Sequence, residues 1–372
     1  MKVKIHKMKL KEITTYLESV APLAYQESYD NAGLLVGNPE QEISQALITL
    51  DVTEAILDEA IETKSKLVIA HHPLIFGGLK KLTGKNEVER CVIKAIQHNI
   101  AIYASHTNLD SVYGGVNSKI CEKLGLENSK ILSPASGQLK KLVTFIPFEQ
   151  AAQVQQAVFD AGAGHIGNYD SCAYTIPGKG SFRGSENTQP FVGKPGQIHY
   201  ENELRFETVF PEHLQSKVIQ ALIEAHPYEE VAYDIYSLDN VHPQVGIGMI
   251  GELPKAMDEK RFLRLTRKTF GAAVVKHSPL RNQKVRRIAV CGGSGSFLIA
   301  QAIGAKADVF VTADLKYHQF FEAEGKIVLA DIGHFESEQF TKEVFYELLT
   351  KKFPKFAIRL SEVNTNPVNY LV

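Results

Sequence analysis

The stretch of sequence that decides the fold is LVIAHHP, residues 67–73. Its first four residues form a short apolar run, which predicts a strand buried in a sheet. Pro73 cannot donate a hydrogen bond to a strand ladder, so the strand must end beside the two histidines. The stretch therefore predicts a buried strand with a pair of imidazoles at its carboxyl end.

Similar apolar runs alternate with helical patterns in both outer thirds of the chain. In the first third, strands are predicted at Ala46–Leu50, Leu67–Ala70 and Ile100–Ala104, and helices at Leu10–Val20, Thr53–Thr63 and Glu87–His98. In the last third, strands are predicted at Arg287–Cys291, Val309–Val311, Ile327–Ala330 and Phe356–Leu360, and helices at Phe297–Ala305, Lys316–Glu324 and Glu336–Lys351. This alternation is typical of βαβ units and of a largely parallel sheet.

The middle of the chain has a different pattern. Strands are predicted at Leu142–Ile146, Leu204–Val209 and Val231–Tyr236, and helices at Gln150–Ala161 and His213–Ala225. Two split βαβ units of this size predict a ferredoxin-like α+β domain. The predicted fold class is therefore α/β, with a discontinuous layered domain of largely parallel sheets at 1–135 and 241–372. The ferredoxin-like insertion is predicted at 138–239.

The composition is that of a soluble globular protein, with 44% hydrophobic and 22% charged residues in a chain of 372. No apolar run is long enough to span a bilayer, so no membrane partner is expected. The first residues lack the apolar core of a secretory signal, which predicts a cytoplasmic protein. A formal net charge of −1 gives no overall attraction to nucleic acid. The four cysteines have no CxxC spacing, which argues against a disulfide framework or a thiolate zinc site.

Candidate metal ligands follow three of the predicted strands. The first strand ends at His71 and His72, and HTNLD, residues 106–110, follows the second. GHFESE, residues 333–338, follows the third, and its His334 and Glu338 lie on one face of a helix that begins there. The carboxyl ends of parallel strands open onto one crevice, so these groups are expected to converge. Imidazole and carboxylate ligands without thiolate suit Zn, Fe(II), Mn, Co or Ni and do not discriminate among them.

Adjacent side chains on a regular strand point to opposite faces. His71 and His72 can therefore converge only at a strand end, or they serve two different metals. This pair is an indication of a dinuclear centre.

The sequence resembles the Nif-three-like proteins, which are also known as GTP cyclohydrolase I type 2 homologs. The matching segments occur in the order found in that family. They are DNAGL (30–34), HHP (71–73), HTNLD (106–110), CGGSG (291–295), TAD (312–314), KYH (316–318), GH (333–334) and SE (337–338). One departure is Ala313, where the family usually has glycine, but this position is not a ligand.

The resemblance implies two divalent metal ions per chain, with zinc the metal expected in the isolated protein. By this resemblance, His71 and His334 would serve one metal, His72 and Asp110 would serve the other, and Glu338 would bridge them. It also implies a homo-oligomer, a hexameric ring of two trimers. The family name suggests a small phosphorylated or nucleotide ligand, GTP or a pterin precursor among them.

The middle region resembles the insertion of longer bacterial members, which is similar in fold to the trimeric nitrogen-regulator and copper-tolerance proteins. The segments that carry this resemblance are GHIGNY (164–169) and HPYEE (226–230). Four side chains in them could bind a metal or a small ligand, namely His165, His226, Glu229 and Glu230. The alternative interpretation is that these side chains serve strand pairing and loop packing.

A metal-dependent hydrolase is the function that these features favour. Two adjacent divalent ions lower the pKa of a bridging water and polarise a carbonyl or phosphoryl oxygen. The candidate proton-transfer groups are His106, Asp314 and His318. For Asp51, Asp314 and His318, a structural role or a role in supporting the ligands is an equally good interpretation.

Two other functions stay open from the sequence. One is a non-enzymatic metal-responsive binding or regulatory ring. The other is a ring that binds nucleic acid, which would require a basic lining that the neutral composition does not indicate.

Overall fold

The structure is a computed structural model, and it describes residues 7–371. Residues 1–6 and 372, which the predicted outer domain includes, lie outside the described residues. The contacts divide the chain into two compact units, an outer unit that runs to Pro134 and resumes at Gln244, and an inserted unit at Ala135–Pro243. Within the described residues, no helix has the length and apolar character needed to cross a membrane.

The helices and strands are numbered in chain order. The strands are β1 (Met8–Lys9), β2 (Gly33–Val36), β3 (Glu42–Ile43), β4 (Gln45–Thr49), β5 (Leu67–Ala70), β6 (Ala101–Ala104), β7 (Glu127–Ala135), β8 (Leu139–Pro147), β9 (Ala173–Phe182), β10 (His199–Pro211), β11 (Tyr233–Leu238), β12 (His242–Asp258), β13 (Lys276–His277), β14 (Lys284–Ser294), β15 (Val309–Ala313), β16 (Val328–Asp331) and β17 (Ala357–Leu360). The α-helices are α1 (Leu10–Val20), α2 (Glu54–Glu62), α3 (Glu87–Gln97), α4 (Thr107–Asp110), α5 (Val116–Lys123), α6 (Ala151–Asp160), α7 (Gln215–Ala225), α8 (Glu259–Thr269), α9 (Ile299–Gly304), α10 (His334–Glu338) and α11 (Thr341–Lys352).

The first large sheet of the outer unit has the strand order β17-β4-β5-β6-β2. Its first four strands are parallel and β2 is antiparallel to β6. Both faces are covered: Leu67 and Ile69 of β5 pack into one core, and Val68 and Ala70 pack into another beneath α2 and α3. Burial on both faces explains why β5 has no polar residue before its histidines.

The second large sheet has the order β13-β16-β15-β14-β12-β7 and is mixed rather than largely parallel. Strands β14, β15 and β16 are parallel, whereas β12 and β13 pair antiparallel with β14 and β16. The prediction of largely parallel sheets was wrong here because β7, β12 and β13 were not recognised. Side chains of both large sheets, such as Ile48, Ile69, Val290 and Val311, share one core.

Two predicted helices near the carboxyl end also differ from the structure. The predicted helix Glu336–Lys351 is two helices, α10 and α11, and the predicted helix Lys316–Glu324 is a 3-10 helix at Tyr317–Ala323. The break after α10 leaves a single turn that carries His334 and Glu338.

The inserted unit contains one antiparallel sheet in the order β11-β8-β10-β9, with α6 and α7 packed on a core that includes Leu142, Val154, Phe206 and Leu222. The strand β9 was missed in the sequence. Its Gly178 and Gly180 have low strand propensity, but the segment pairs with β10 along its length.

We predict that the outer unit folds without the insertion. Strands β7 and β12, which flank the inserted unit, are neighbours in one sheet, so a short Gly-Ser turn can join them. A variant with residues 136–241 replaced by such a turn should unfold cooperatively, as measured by circular dichroism during heating. A broad transition without near-ultraviolet signal would show instead that the outer unit needs the insertion.

Candidate metal centre

The candidate site lies where the carboxyl ends of strands from two sheets meet. Strands β5 and β6 of the first sheet lead to His71, His72 and Asp110, and β16 of the second sheet leads to His334 and Glu338. The sequence predicted that these groups converge, but it placed them at the edge of one parallel sheet. The structure brings them together across two sheets that share a core.

Glu338 is at the centre of this arrangement and is only 3% exposed. Its Oε2 lies 2.9 Å from His72 Nε2 and 3.0 Å from His334 Nε2, and its Oε1 lies 3.8 Å from His71 Nε2. Gly293 makes room for this carboxylate, because a Cβ at that position would come within 2.3 Å of Glu338 Oε1. The two oxygens of one carboxylate therefore face different histidines.

Three overlapping groups of side chains could each hold a metal ion, and two of them share Glu338. These two are His72, His334 and Glu338, and His71, Asp110 and Glu338, whereas the third is His71, His72 and His106. This differs from the pairing that the resemblance implied, which joined His71 to His334 and His72 to Asp110. His71 Nδ1 bonds the backbone oxygen of Ser105, and the opposite ring nitrogen, Nε2, lies 3.7 Å from Asp110 Oδ1 at the end of α4.

These residues fit a divalent cation by their chemistry. His71 Nε2 and Asp110 Oδ1 are buried 3.7 Å apart and have no hydrogen-bond partner. Burial and the neighbouring Glu338 carboxylate raise the pKa of Asp110 well above its usual value. Two carboxyl groups beside the imidazole of His71, whose pKa burial lowers, are expected to attract a cation.

In two of the histidines, the ring nitrogen that faces away from Glu338 bonds a carboxylate oxygen. His72 Nδ1 lies 2.7 Å from Asp51 Oδ1, and His334 Nδ1 lies 2.7 Å from Asp314 Oδ2. Such bonds fix the tautomer in which Nε2 is available to a metal.

Protonation of these two histidines competes with metal binding. Burial opposes the charge on both rings, but their carboxylate partners raise the pKa of His72 to about 9 and that of His334 to about 11. Metal binding must then release these protons, so affinity falls as the pH falls.

The three predicted proton-transfer residues have different surroundings. His106 lines the cavity, and its Nδ1 lies 2.9 Å from Asp30 Oδ1. Asp314 accepts hydrogen bonds from Ser294 and His334. His318 packs against the rings of Tyr317 and Phe321 and is not among the residues that line the cavity.

Asp30 was not singled out in the sequence as a site residue. It also accepts bonds from the backbone N–H and the hydroxyl of Thr107, and with His106 these contacts hold its pKa below the usual range despite burial. The feature of the sequence that could have identified Asp30 as a site residue is its place in the DNAGL motif.

The cavity in front of the cluster has a volume of about 780 Å³. Exposed aromatic rings of Tyr29, Phe76 and Phe297 contribute to its wall. The other lining residues are Glu27, Asp51, His72, His106, Thr107, Asp110, Ser111, Ile247, Cys291, Gly292, Ser294, His334 and Glu338. None of these lining residues is a lysine or an arginine.

The inserted unit has no comparable group of ligands among its described residues. His226 uses both ring nitrogens within the fold: Nε2 donates to the oxygen of Phe145 and Nδ1 accepts from the N–H of Tyr228. Glu229 accepts from the N–H of Gln189. These contacts agree with the packing interpretation of the 226–230 segment.

Comparisons with known proteins agree over the whole chain. The family model Duf34/NIF3 (NGG1p interacting factor 3) matches residues 8–367. A Bacillus subtilis protein named GTP cyclohydrolase 1 type 2 homolog is 38% identical over 366 residues, which are 97% of this chain and 98% of that protein. A protein of the same name from Halalkalibacterium halodurans is 38% identical over 360 residues, 95% of this chain and 96% of that one. The crystal structure of a Bacillus cereus protein related to NIF3 has a TM-score of 0.85 and 37% identity, covering 99% of this chain and 100% of that chain.

The two groups predict how single substitutions change metal content. Asp110→Ala and His334→Ala each damage one group and should retain about one ion per chain, whereas Glu338→Ala damages both and should retain less than one. His318→Ala, outside the cavity, is the matched control and should behave as wild type. Elemental analysis after dialysis measures the content, and retention of two ions by Glu338→Ala would contradict the grouping.

Proposed function

The chain belongs to the Duf34/NIF3 family, and we propose that it binds two divalent metal ions per chain and is a metal-dependent hydrolase of phosphorylated, nucleotide-like substrates. The observation that carries the proposal is the position of Glu338. Its two carboxylate oxygens face two different groups of ligands, as required of a residue that bridges two ions.

The proposed ligands are His71, Asp110 and Glu338 for one ion, and His72, His334 and Glu338 for the other. Zinc is the metal proposed for the isolated protein, although Fe, Mn, Co and Ni suit the same ligands. About three protein ligands per ion leave an open position, in contrast to a closed structural zinc site, which normally has four. When bound, the two ions would supply Lewis acidity to a phosphoryl or carbonyl oxygen and acidify water.

The residues of the chain itself would then transfer protons and orient the metal ligands. We assign proton transfer to His106, because Asp30 holds its Nδ1 and the residue lines the cavity. Asp314 is assigned an orienting role, since its carboxylate is occupied by His334 and Ser294. His318 is not assigned a role, because it does not line the cavity.

The substrate class follows from the wall of the cavity. With no lysine or arginine in the lining, and with the protonated His72 and His334 each paired with carboxylates, we assign the attraction for a phosphate to the metals. Tyr29, Phe76 and Phe297 offer flat apolar faces that suit a planar ring. The relatives named GTP cyclohydrolase 1 type 2 homolog are consistent with a nucleotide, but that name alone gives no mechanism.

A second candidate function is a non-enzymatic, metal-responsive regulatory ring. The inserted unit favours it, because it has its own cleft of about 770 Å³, lined in part by Phe182, Phe191 and Tyr228. The strand order of this unit, β11-β8-β10-β9 with helices after β8 and β10, supports the ferredoxin-like interpretation and the likeness to trimeric regulators. We accordingly propose a homo-oligomer, a hexameric ring of two trimers, in the cytoplasm.

We predict that phosphate binding depends entirely on the metals. Without the metals the lining carries no excess of positive charge, since the carboxylates of Glu27, Asp51 and Glu338 accompany the protonated His72 and His334. Calorimetry should therefore detect phosphate binding to the metal-loaded protein and none to the chelator-stripped protein. Affinity should fall above neutral pH as hydroxide competes. Equal affinity in both forms would show that the ions are structural and would remove the main support for a hydrolase.

We also predict that the aromatic wall recognises a ring and not a phosphate. Phe76→Ala should weaken binding of a nucleoside monophosphate to the metal-loaded protein by roughly 2- to 10-fold. Binding of inorganic phosphate should not change. The matched control is Phe321→Ala, which removes another exposed phenylalanine outside the cavity. If Phe76→Ala weakens both ligands equally, the ring is not recognised at this wall.

A further inference from the structure

The last part of the chain, residues 361–371, follows β17 and forms no helix or strand. We call this segment the C-terminal tether. Its start is anchored to the first sheet, since the N–H of Ser361 donates to the oxygen of Ile48 and its hydroxyl bonds Glu59. From this anchor the tether reaches side chains that stand directly behind the metal centre.

The first of these contacts is made by Thr365. Its hydroxyl donates to Asp51 Oδ2 at 2.5 Å, and Asp51 Oδ1 lies 2.7 Å from His72 Nδ1. Both oxygens of this carboxylate are therefore engaged, which fixes its plane as well as its position. Without the hydroxyl, Asp51 would be free to rotate about its terminal bond, and the ring of His72 would lose a fixed partner.

The second contact is made by Asn366. Its side-chain amide donates to Glu336 Oε1 at 3.1 Å. Glu336 is buried in α10 between His334 and Glu338. The tether is itself held in shape, because the side chain of Asn364 accepts from the N–H of Asn366, and that of Asn366 accepts from the N–H of Val368.

We propose that the C-terminal tether is a positioning element of the metal centre. Thr365 holds His72 through Asp51 on the first sheet, and Asn366 holds α10 on the second. Two neighbouring residues of the C-terminal tether therefore contact residues next to the proposed ligands of both sheets. Thr365 contacts Asp51, and Asn366 contacts Glu336. The inference rests on the proposed metal binding and assigns Thr365 and Asn366 as positioning residues that do not touch metal or substrate.

The test compares substitutions of Thr365 in the full-length protein. Thr365→Val keeps the shape and removes the hydroxyl, whereas Thr365→Ser keeps the hydroxyl. Thr83→Val is the matched control, because the Thr83 hydroxyl also donates to a carboxylate, Glu89, away from the cavity. The readouts are cobalt(II) affinity by competition with a chromogenic chelator, the visible spectrum of the cobalt(II) form, and the melting temperature of the metal-free protein.

Thr365→Val is expected to bind cobalt(II) about 10-fold or more weakly with an altered spectrum, since loss of such outer supports typically costs this much in affinity. Thr365→Ser and Thr83→Val should match wild type, and the metal-free melting temperatures of Thr365→Val and Thr83→Val should be similar. Wild-type affinity and spectrum in Thr365→Val, or an equal loss in Thr365→Ser, would overturn the positioning role. A wild-type protein that binds no metal would refute the proposed function itself.

Discussion

The structure depends on one buried carboxylate. Glu338 stands between the two large sheets, and its oxygens are shared by histidines that follow β5 and β16. A carboxylate with this little exposure is strongly disfavoured unless partners surround it, and here the partners come from the strand ends of both sheets. Gly293 leaves room for this carboxylate because it has no Cβ, and Glu338 itself ends the single turn of α10.

Hydrogen bonds on the far side of each ring hold the three histidines in place. Each histidine that faces Glu338 uses its other ring nitrogen on an oxygen acceptor, and Asp51 and Asp314 are in turn held by Thr365 and Ser294. The arrangement leaves two atoms unsatisfied, His71 Nε2 and Asp110 Oδ1. Buried polar atoms without partners are rare in native proteins, and here they coincide with the atoms proposed to bind a metal.

Local patterns in the sequence were sufficient to predict the strands β4, β5, β6, β15 and β16 and the convergence of the ligands, because apolar periodicity and strand-end chemistry are local signals. Which sheet each strand joins, and therefore which histidine faces Asp110, depends on long-range packing that no local pattern records. The glycines of β9 hid a strand because its stability comes from pairing with β10. The tether was missed for a similar reason: Thr365 and Asp51 are 314 residues apart and have no shared motif.

The most direct measurement is anomalous diffraction from crystals of the metal-loaded protein, collected at the absorption edge of the bound metal. Two peaks per chain are expected. One should contact His71 and Asp110, the other should contact His72 and His334, and each should contact a different oxygen of Glu338. A single peak, or two peaks that do not share Glu338, would show that Glu338 does not bridge two ions.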